Sequence, residues 1–302
     1  MYSGMLPKFY QFYYIVIPTI SLIGNSAIVY VTIRSRSLRS PCNILIGLIS
    51  LGDVLHMLSH YVAVGSYNWT ENHLMRQDFC VYWQMVPTIG ALFSSTLLLS
   101  VAIDRMISTR LHYDSLIKSH YVLYISLHIT IGLAYAFSME TWIFFNRTSE
   151  LYEACIITTP IFGTVHTVLS NVKVAYNILI LLCHVVLLFW LRKSRLSQDS
   201  SKQIHRSVAV ISFMTVFGWF GAVMFTVLGV AFNLHIEKLH ADLIAGLLVN
   251  FGSAANFFVY YFISGMYRRA FDDYLFIGFL KKVVTLKHFP TNHGWAEARR
   301  RF

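Results

Sequence analysis

Three places in this chain hold residues whose types and spacing could do chemistry. An acid stands directly beside a base at Asp104-Arg105, at the end of the uncharged run LLLSVAI (97–103). A lone carboxylate, Asp53, sits midway through a second apolar run, and a lone ammonium, Lys173, flanked by Asn171 and Asn177, interrupts a third. Charges in such surroundings are costly and are usually kept for a function. His56 and His60 lie four apart, a helical metal-ligand spacing, among 13 histidines. A di-iron membrane hydroxylase or desaturase would need several His-rich motifs converging on one side, and the other eleven are scattered. Metal chemistry is therefore disfavoured, and these two are expected to line a helix bundle above Asp53.

The elements that must position these groups follow from composition. Of 302 residues, 56% are hydrophobic and only 13% charged, about half the roughly 25% typical of soluble domains; the mean hydropathy is +0.56. Crossing a bilayer takes roughly 20 mostly apolar residues, and seven segments qualify: Phe9–Ile33, Asn43–Gly65, Phe79–Ile103, Tyr121–Phe145, Ile161–Leu191, Val208–Phe232 and Ala241–Ile263. Each must be helical, because open backbone cannot satisfy its hydrogen bonds in lipid. Long continuous runs exclude the short alternating strands of a membrane barrel. The expected fold is thus an all-α seven-transmembrane helix bundle. There is no repeat, low-complexity segment or second domain. Eight residues before the first run are too few for a cleavable signal peptide, so the first span is expected to serve as the insertion signal.

Basic residues orient the bundle, since loops rich in Lys and Arg stay cytosolic. Of the 24, nineteen fall in loops 34–39, 104–120 and 192–206 and in the tail after 263, against four on the other side. The N-terminus is therefore outside. Both glycosylation sequons, at Asn68 and Asn146, fall in loops assigned outside. Four cysteines permit three pairings; Cys80 and Cys155 face the oxidising side whereas Cys42 and Cys183 lie toward the cytosol, which leaves Cys80–Cys155. A net charge of +10 then calls for anionic lipid at the cytosolic face rather than nucleic acid.

With the spans placed, the markers fall into a pattern. Gly24-Asn25 lies in the first span, Asp53 in LISLGD of the second, Cys80 at the outer end of the third, Asp104-Arg105 in IDRM (103–106) at its inner end, and NFFVY (256–260) in the seventh. Over residues 9 to about 277 the chain resembles the rhodopsin-like G-protein-coupled receptors. TIRSRSLRSPCNILIGLISLGDVLHMLSHYV (32–62) is more narrowly similar to nematode serpentine chemoreceptors of the Srsx class.

The resemblance implies a polar cluster of Asn25, Asp53, Ser94, Ser253 and Asn256 able to hold sodium and water and to collapse on activation. A hydrogen-bonded cluster that only glues helices is the plainer alternative. It implies that Asp104 holds Arg105 at rest and that Tyr260 and Tyr176 then join as hydroxyl partners. Interfacial anchoring is the plainer role for the Asp104-Arg105 pair. Departures are Met106 for tyrosine, Phe257 for the seventh-span proline and Gly221 for the proline near Trp219. By position, Gln84, Thr88, Trp219, Thr226 and Asn250 could line a ligand pocket. Lys173 could touch a ligand or snorkel.

GMYRRAFDDYLF (265–276) puts Tyr267, Phe271 and Leu275 on one stripe, with Arg268, Asp272 and Asp273 off it, which reads as an amphipathic helix on the inner leaflet. Residues 1–277 then form one receptor domain and 278–302 a basic cytosolic tail without cysteine. The expected function is a plasma-membrane chemoreceptor, in sensory cilia for instance, that binds an extracellular small molecule or peptide and activates a heterotrimeric G protein without a cofactor. Pro87, where amine receptors carry aspartate, disfavours amines; the missing seventh-span lysine disfavours retinal. A small transporter or channel is the rival, and would need repeats and charges paired along a pore, of which there is no sign.

Overall fold

A computed structural model describes residues 8–108, 113–193, 238–275 and 277–278. The helices are α1 (Lys8–Arg34), α2 (Pro41–Trp69), α3 (Gln77–Ile107), α4 (Tyr113–Phe145), α5 (Gly163–Lys193), α6 (Lys238–Ile263) and α7 (Gly265–Tyr274). Among the described residues six are long and apolar enough to cross a membrane, and α6 is the seventh span of the sequence. The sixth, Val208–Phe232, lies outside the described residues, as do Trp219, Gly221, Thr226 and the tail beyond 278.

Helix boundaries follow local chemistry. Ser40 caps α2 by accepting from the Asn43 amide, and Pro41 takes the first-turn position where its missing N–H costs nothing. Helix α4 breaks at His120, which has non-helical angles (φ −133°, ψ 37°). The crossing part thus begins at Tyr121, as the apolar pattern expects. The segment before it differs from the loop expected over 104–120, because Tyr113–Ser119 is already helical and folds back onto α3.

α2 and α3 share the most extensive interface among the described residues, and two glycines make it possible. A Cβ on Gly90 would stand 2.6 Å from the Leu55 Cβ and 2.7 Å from the Gly52 carbonyl oxygen. Small residues that let backbones touch are how helices associate without a hydrophobic drive between them. Gly24 does the same for α1 and α6, where a Cβ would meet that of Phe257 at 2.8 Å.

At the outer end, β1 (Met75–Arg76) pairs antiparallel with β2 (Tyr152–Glu153), and Cys80–Cys155 is bonded. Cys42 and Cys183 are buried thiols. Gln77, fully buried at the start of α3, adds a second fastening. Its amide donates to the Pro160 carbonyl (3.1 Å) and its carbonyl accepts from the Thr148 amide (2.8 Å).

The short α7 is the amphipathic helix expected after the last span. Its N-cap is Ser264, and two residues of its apolar stripe pack on the bundle: Tyr267 and Phe271 are buried against Tyr260 and Phe257, with ring centroids 4.7 and 4.8 Å apart. Arg268 donates to the carbonyls of Tyr261 and Phe262, satisfying the open C-terminal end of α6.

Candidate functional site

The buried carboxylate of α2 sits in a closed ring of hydrogen bonds. Asn25 donates to Ser21 Oγ (3.0 Å), Ser21 pairs with Ser253 (3.1 Å), and Ser253 donates to Asp53 Oδ2 (3.2 Å). Asn256 closes it by donating to Asp53 Oδ2 (3.0 Å) and to Asn25 Oδ1 (3.4 Å). Three helices (α1, α2 and α6) are thereby joined through one acid. A low dielectric strengthens each of these bonds and makes a lost one costly. Sequence reasoning named four of the five members; Ser21 was missed, although it lies one helical turn before Asn25. Ser94 of α3 lines the same cavity as Asp53, and its own hydroxyl donates to the Ala91 carbonyl.

That cavity, about 110 Å³, is lined among the described residues by Asp53, Ser94, Ser253 and Asn256 below and by Thr88, His56 and Lys173 among others. Asp53, Ser94 and Ser253 bring oxygen donors to it, the ligand type a hard cation takes. They fit the sodium that the resemblance implies, with Asp53 supplying the negative charge. Among the described residues no cluster of three or more His, Cys, Asp or Glu side chains could hold a metal. His60 instead pairs with Asn250 (3.1 Å) and stacks on Tyr14.

Below the ring, a space of about 10 Å³ bounded by Asn256, Tyr260, Ser50 and Val101 is about the minimum a single water needs. It points toward the second group of charges. Asp104 is fully buried and Arg105 nearly so. The guanidinium grips Asp104 Oδ2, with Nε 2.9 Å away and an Nη also bonded. The other oxygen, Oδ1, accepts from the hydroxyls of Tyr113 (2.7 Å) and Tyr124 (3.0 Å), both on α4. Four donors on one carboxylate is more than an interfacial anchor requires. Neither tyrosine was legible as a partner, since no spacing rule links them to Asp104.

The remaining expected site residues divide. Thr88 lines the main cavity. Gln84 instead braces the outer loop, donating to the Ser59 and Cys155 carbonyls, and Asn250 serves His60. Tyr260 lies buried between the two charge groups. Tyr176 packs against Tyr135 of α4 with the rings tilted by 50° and their centroids 5.7 Å apart, midway along α5 and not at the Asp104-Arg105 end. Asn68 and Asn146 are both exposed at the outer end.

An antiparallel helix bundle with a polar ring at mid-depth and a clamped arginine at its inner mouth has the layout of a membrane receptor. Residues 18–275 match the sequence model of the serpentine type 7TM GPCR chemoreceptor Srsx family, and the chain belongs to that family. It is accordingly a multi-pass, seven-transmembrane protein of a receptor family, not of an enzyme family. No curated protein matches it.

Proposed function

We propose that residues 1–277 act as one receptor domain at the plasma membrane, in sensory cilia for instance, that binds an extracellular small molecule or peptide and activates a heterotrimeric G protein. The observation that carries this reading is the Asp104 clamp, in which Arg105, Tyr113 and Tyr124 converge on one buried carboxylate. Such a clamp is a two-state element: closed, it hides the guanidinium; open, it presents Arg105 to a partner inserted from the cytosol. The ring around Asp53 ties α1, α2 and α6 into the same bundle and would hold sodium and water at rest. A ligand above it shifts the equilibrium only through its differential affinity for the two states. The basic tail, 278–302, faces anionic lipid.

The test is nucleotide exchange on a co-expressed G protein, with and without ligand. Arg105→Ala is expected to abolish the ligand-dependent part at unchanged surface level; undiminished exchange would remove Arg105 from the role given it. Topology has its own check. Glycan is expected on both Asn68 and Asn146, so each Asn→Gln variant should migrate faster by one glycan and the double variant should resist glycosidase. Absence of sugar from both positions would reverse the assigned orientation.

A further inference from the structure

The charges around the cavity above Asp53 are answered within the protein. Asp53 itself accepts from Ser253 and Asn256, and Lys173 is already partnered and lies in the field of the Asp242 carboxylate. What the cavity leaves open is neutral. The Thr88 hydroxyl lines it, is almost fully buried and has no hydrogen-bond partner among the described residues. A buried hydroxyl left so costs stability unless something fills the place. Ser94 and Ser95 do not share this condition, since both donate to the Ala91 carbonyl. The His56 imidazole lines the same cavity. It packs against His60, ring centroids 5.9 Å apart, and forms no hydrogen bond among the described residues. The two groups stand at nearly one level of the bundle. A Cβ on Gly90 would lie 3.0 Å from the His56 amide nitrogen, and Thr88 is two residues, about 3 Å, farther out along α3. One turn above Thr88, Gln84 Oε1 and the hydroxyl of the adjacent Ser59 are also buried without partners, and they too are uncharged.

We propose that this cavity binds a small uncharged molecule headed by one hydroxyl or carbonyl oxygen, the oxygen held between the Thr88 hydroxyl and the His56 imidazole and the short apolar tail against Leu92 and Ile161. The assignment deepens the receptor reading and rests on it. A threonine hydroxyl and a neutral imidazole each carry one donor, and a single oxygen with two lone pairs accepts from both. A charged head is disfavoured because nothing in the cavity is left to pair it, and an ion buried without a partner is far more costly than a neutral group. Size sets the other limit: at about 110 Å³ the space is somewhat smaller than the about 150 Å³ cavity that takes up benzene. Alcohols and ketones of about five heavy atoms fit, and long-chain ones do not.

The experiment uses the full-length receptor in lipid nanodiscs, with saturation-transfer NMR read as the difference from empty nanodiscs. The probes are 1-butanol and 2-butanone, compared with 2-methyl-1-butene, in which a methylene replaces the ketone oxygen, and with propionate and butylammonium. The alcohol and ketone are expected to bind, the alkene at least about 5-fold more weakly, the size of one lost neutral hydrogen bond, and the two ions at least about 10-fold more weakly. Thr88→Val and His56→Leu are each expected to weaken the oxygen compounds roughly 5-fold and to abolish their advantage over the alkene when combined, while Thr88→Ser keeps it. Thr88→Val should melt no lower than the unaltered receptor, because its hydroxyl gives up no bond; a purely structural threonine would melt lower. Melting of the other variants identifies any that fails to fold, in which case the probe comparison on the unaltered receptor decides. Equal binding of the alkene or of either ion, or unchanged binding by the folded double variant, would overturn the proposal. No binding at millimolar concentration would leave both groups to water and overturn it too. Ligand-free exchange that depends on Arg105, measured alongside, keeps the two readings apart. If it persists while no oxygen compound binds, the ligand class falls and the receptor reading stands. If they bind and no exchange occurs, the reverse holds.

Discussion

Asp104→Asn is expected to raise ligand-independent nucleotide exchange by on the order of 100-fold. The reason is local. Asp104 is fully buried and answers a guanidinium that is itself nearly buried, with two tyrosine hydroxyls on its other oxygen. Removing one charge of a buried pair costs about 3 to 5 kcal/mol, much of it from stranding the survivor. Three of those kcal/mol shift a two-state ratio about 100-fold. The cost falls on the closed state alone, because in the open state Arg105 has left Asp104. Tyr113→Phe and Tyr124→Phe each remove one hydrogen bond to a charged group, about 1.5 kcal/mol, and should raise basal exchange roughly 10-fold. Exchange by membranes carrying matched amounts of each variant measures this series. Asp104→Asn no faster than the unaltered receptor would mean the clamp does not restrain Arg105.

The second large effect concerns assembly of the bundle. Gly90→Val is expected to lower the melting temperature sharply and to keep most of the protein from the cell surface. The added Cβ would face the Leu55 Cβ at 2.6 Å, the Gly52 carbonyl at 2.7 Å and the His56 amide nitrogen at 3.0 Å. None of these is the far end of a side chain that could swing away. Overpacking of this kind costs about 1 to 3 kcal/mol when neighbours can yield, and here the yielding must come from α2 and α3 themselves. Gly65→Ala is the control. Nothing lies within 4 Å of a Cβ there, so stability should stay within about 1 kcal/mol of the starting value or improve slightly, and the melting temperature should hardly move. A Gly90→Val receptor that melts with the Gly65→Ala one would show that the helices do not cross this closely.

The crossings themselves were plain from residue order, because hydrocarbon leaves a chain few choices. An uninterrupted apolar run of bilayer length must be a helix, and six of the seven expected spans end within a few residues of observed helix ends or, for α4, at the His120 break. The disulfide was legible for the same reason, since sidedness alone removes two of three pairings. What order could not supply was the partner across space. Ser21 belongs to the ring because α1 and α6 touch at Gly24, a contact set by three-dimensional packing. Tyr113 reaches Asp104 because a helical segment precedes His120, where the polar character of 104–120 suggested loop. Gln84 and Asn250 have the depth of pocket residues but face a loop carbonyl and a histidine; depth follows from counting along a helix, whereas direction depends on how each helix is rotated. The stripe on α7 was legible in the spacing of Tyr267 and Phe271, but not that Tyr260 and Phe257 cover part of it, because amphipathicity reports that a face is covered and not by what.

Phe257 gives the last span a mechanical character of its own. It stands where a proline hinge is usual in this kind of bundle, and α6 runs through it as one helix from Lys238 to Ile263. Its Cβ is seated against Gly24, and its ring packs on Phe271. Without a flexible joint at that point, α6 is expected to tilt or roll as a rod, with Gly24 as fulcrum and α7 carried along as its handle. The inner end of α1 would then travel with it, so that in this chain the first helix joins the moving parts instead of serving as fixed frame.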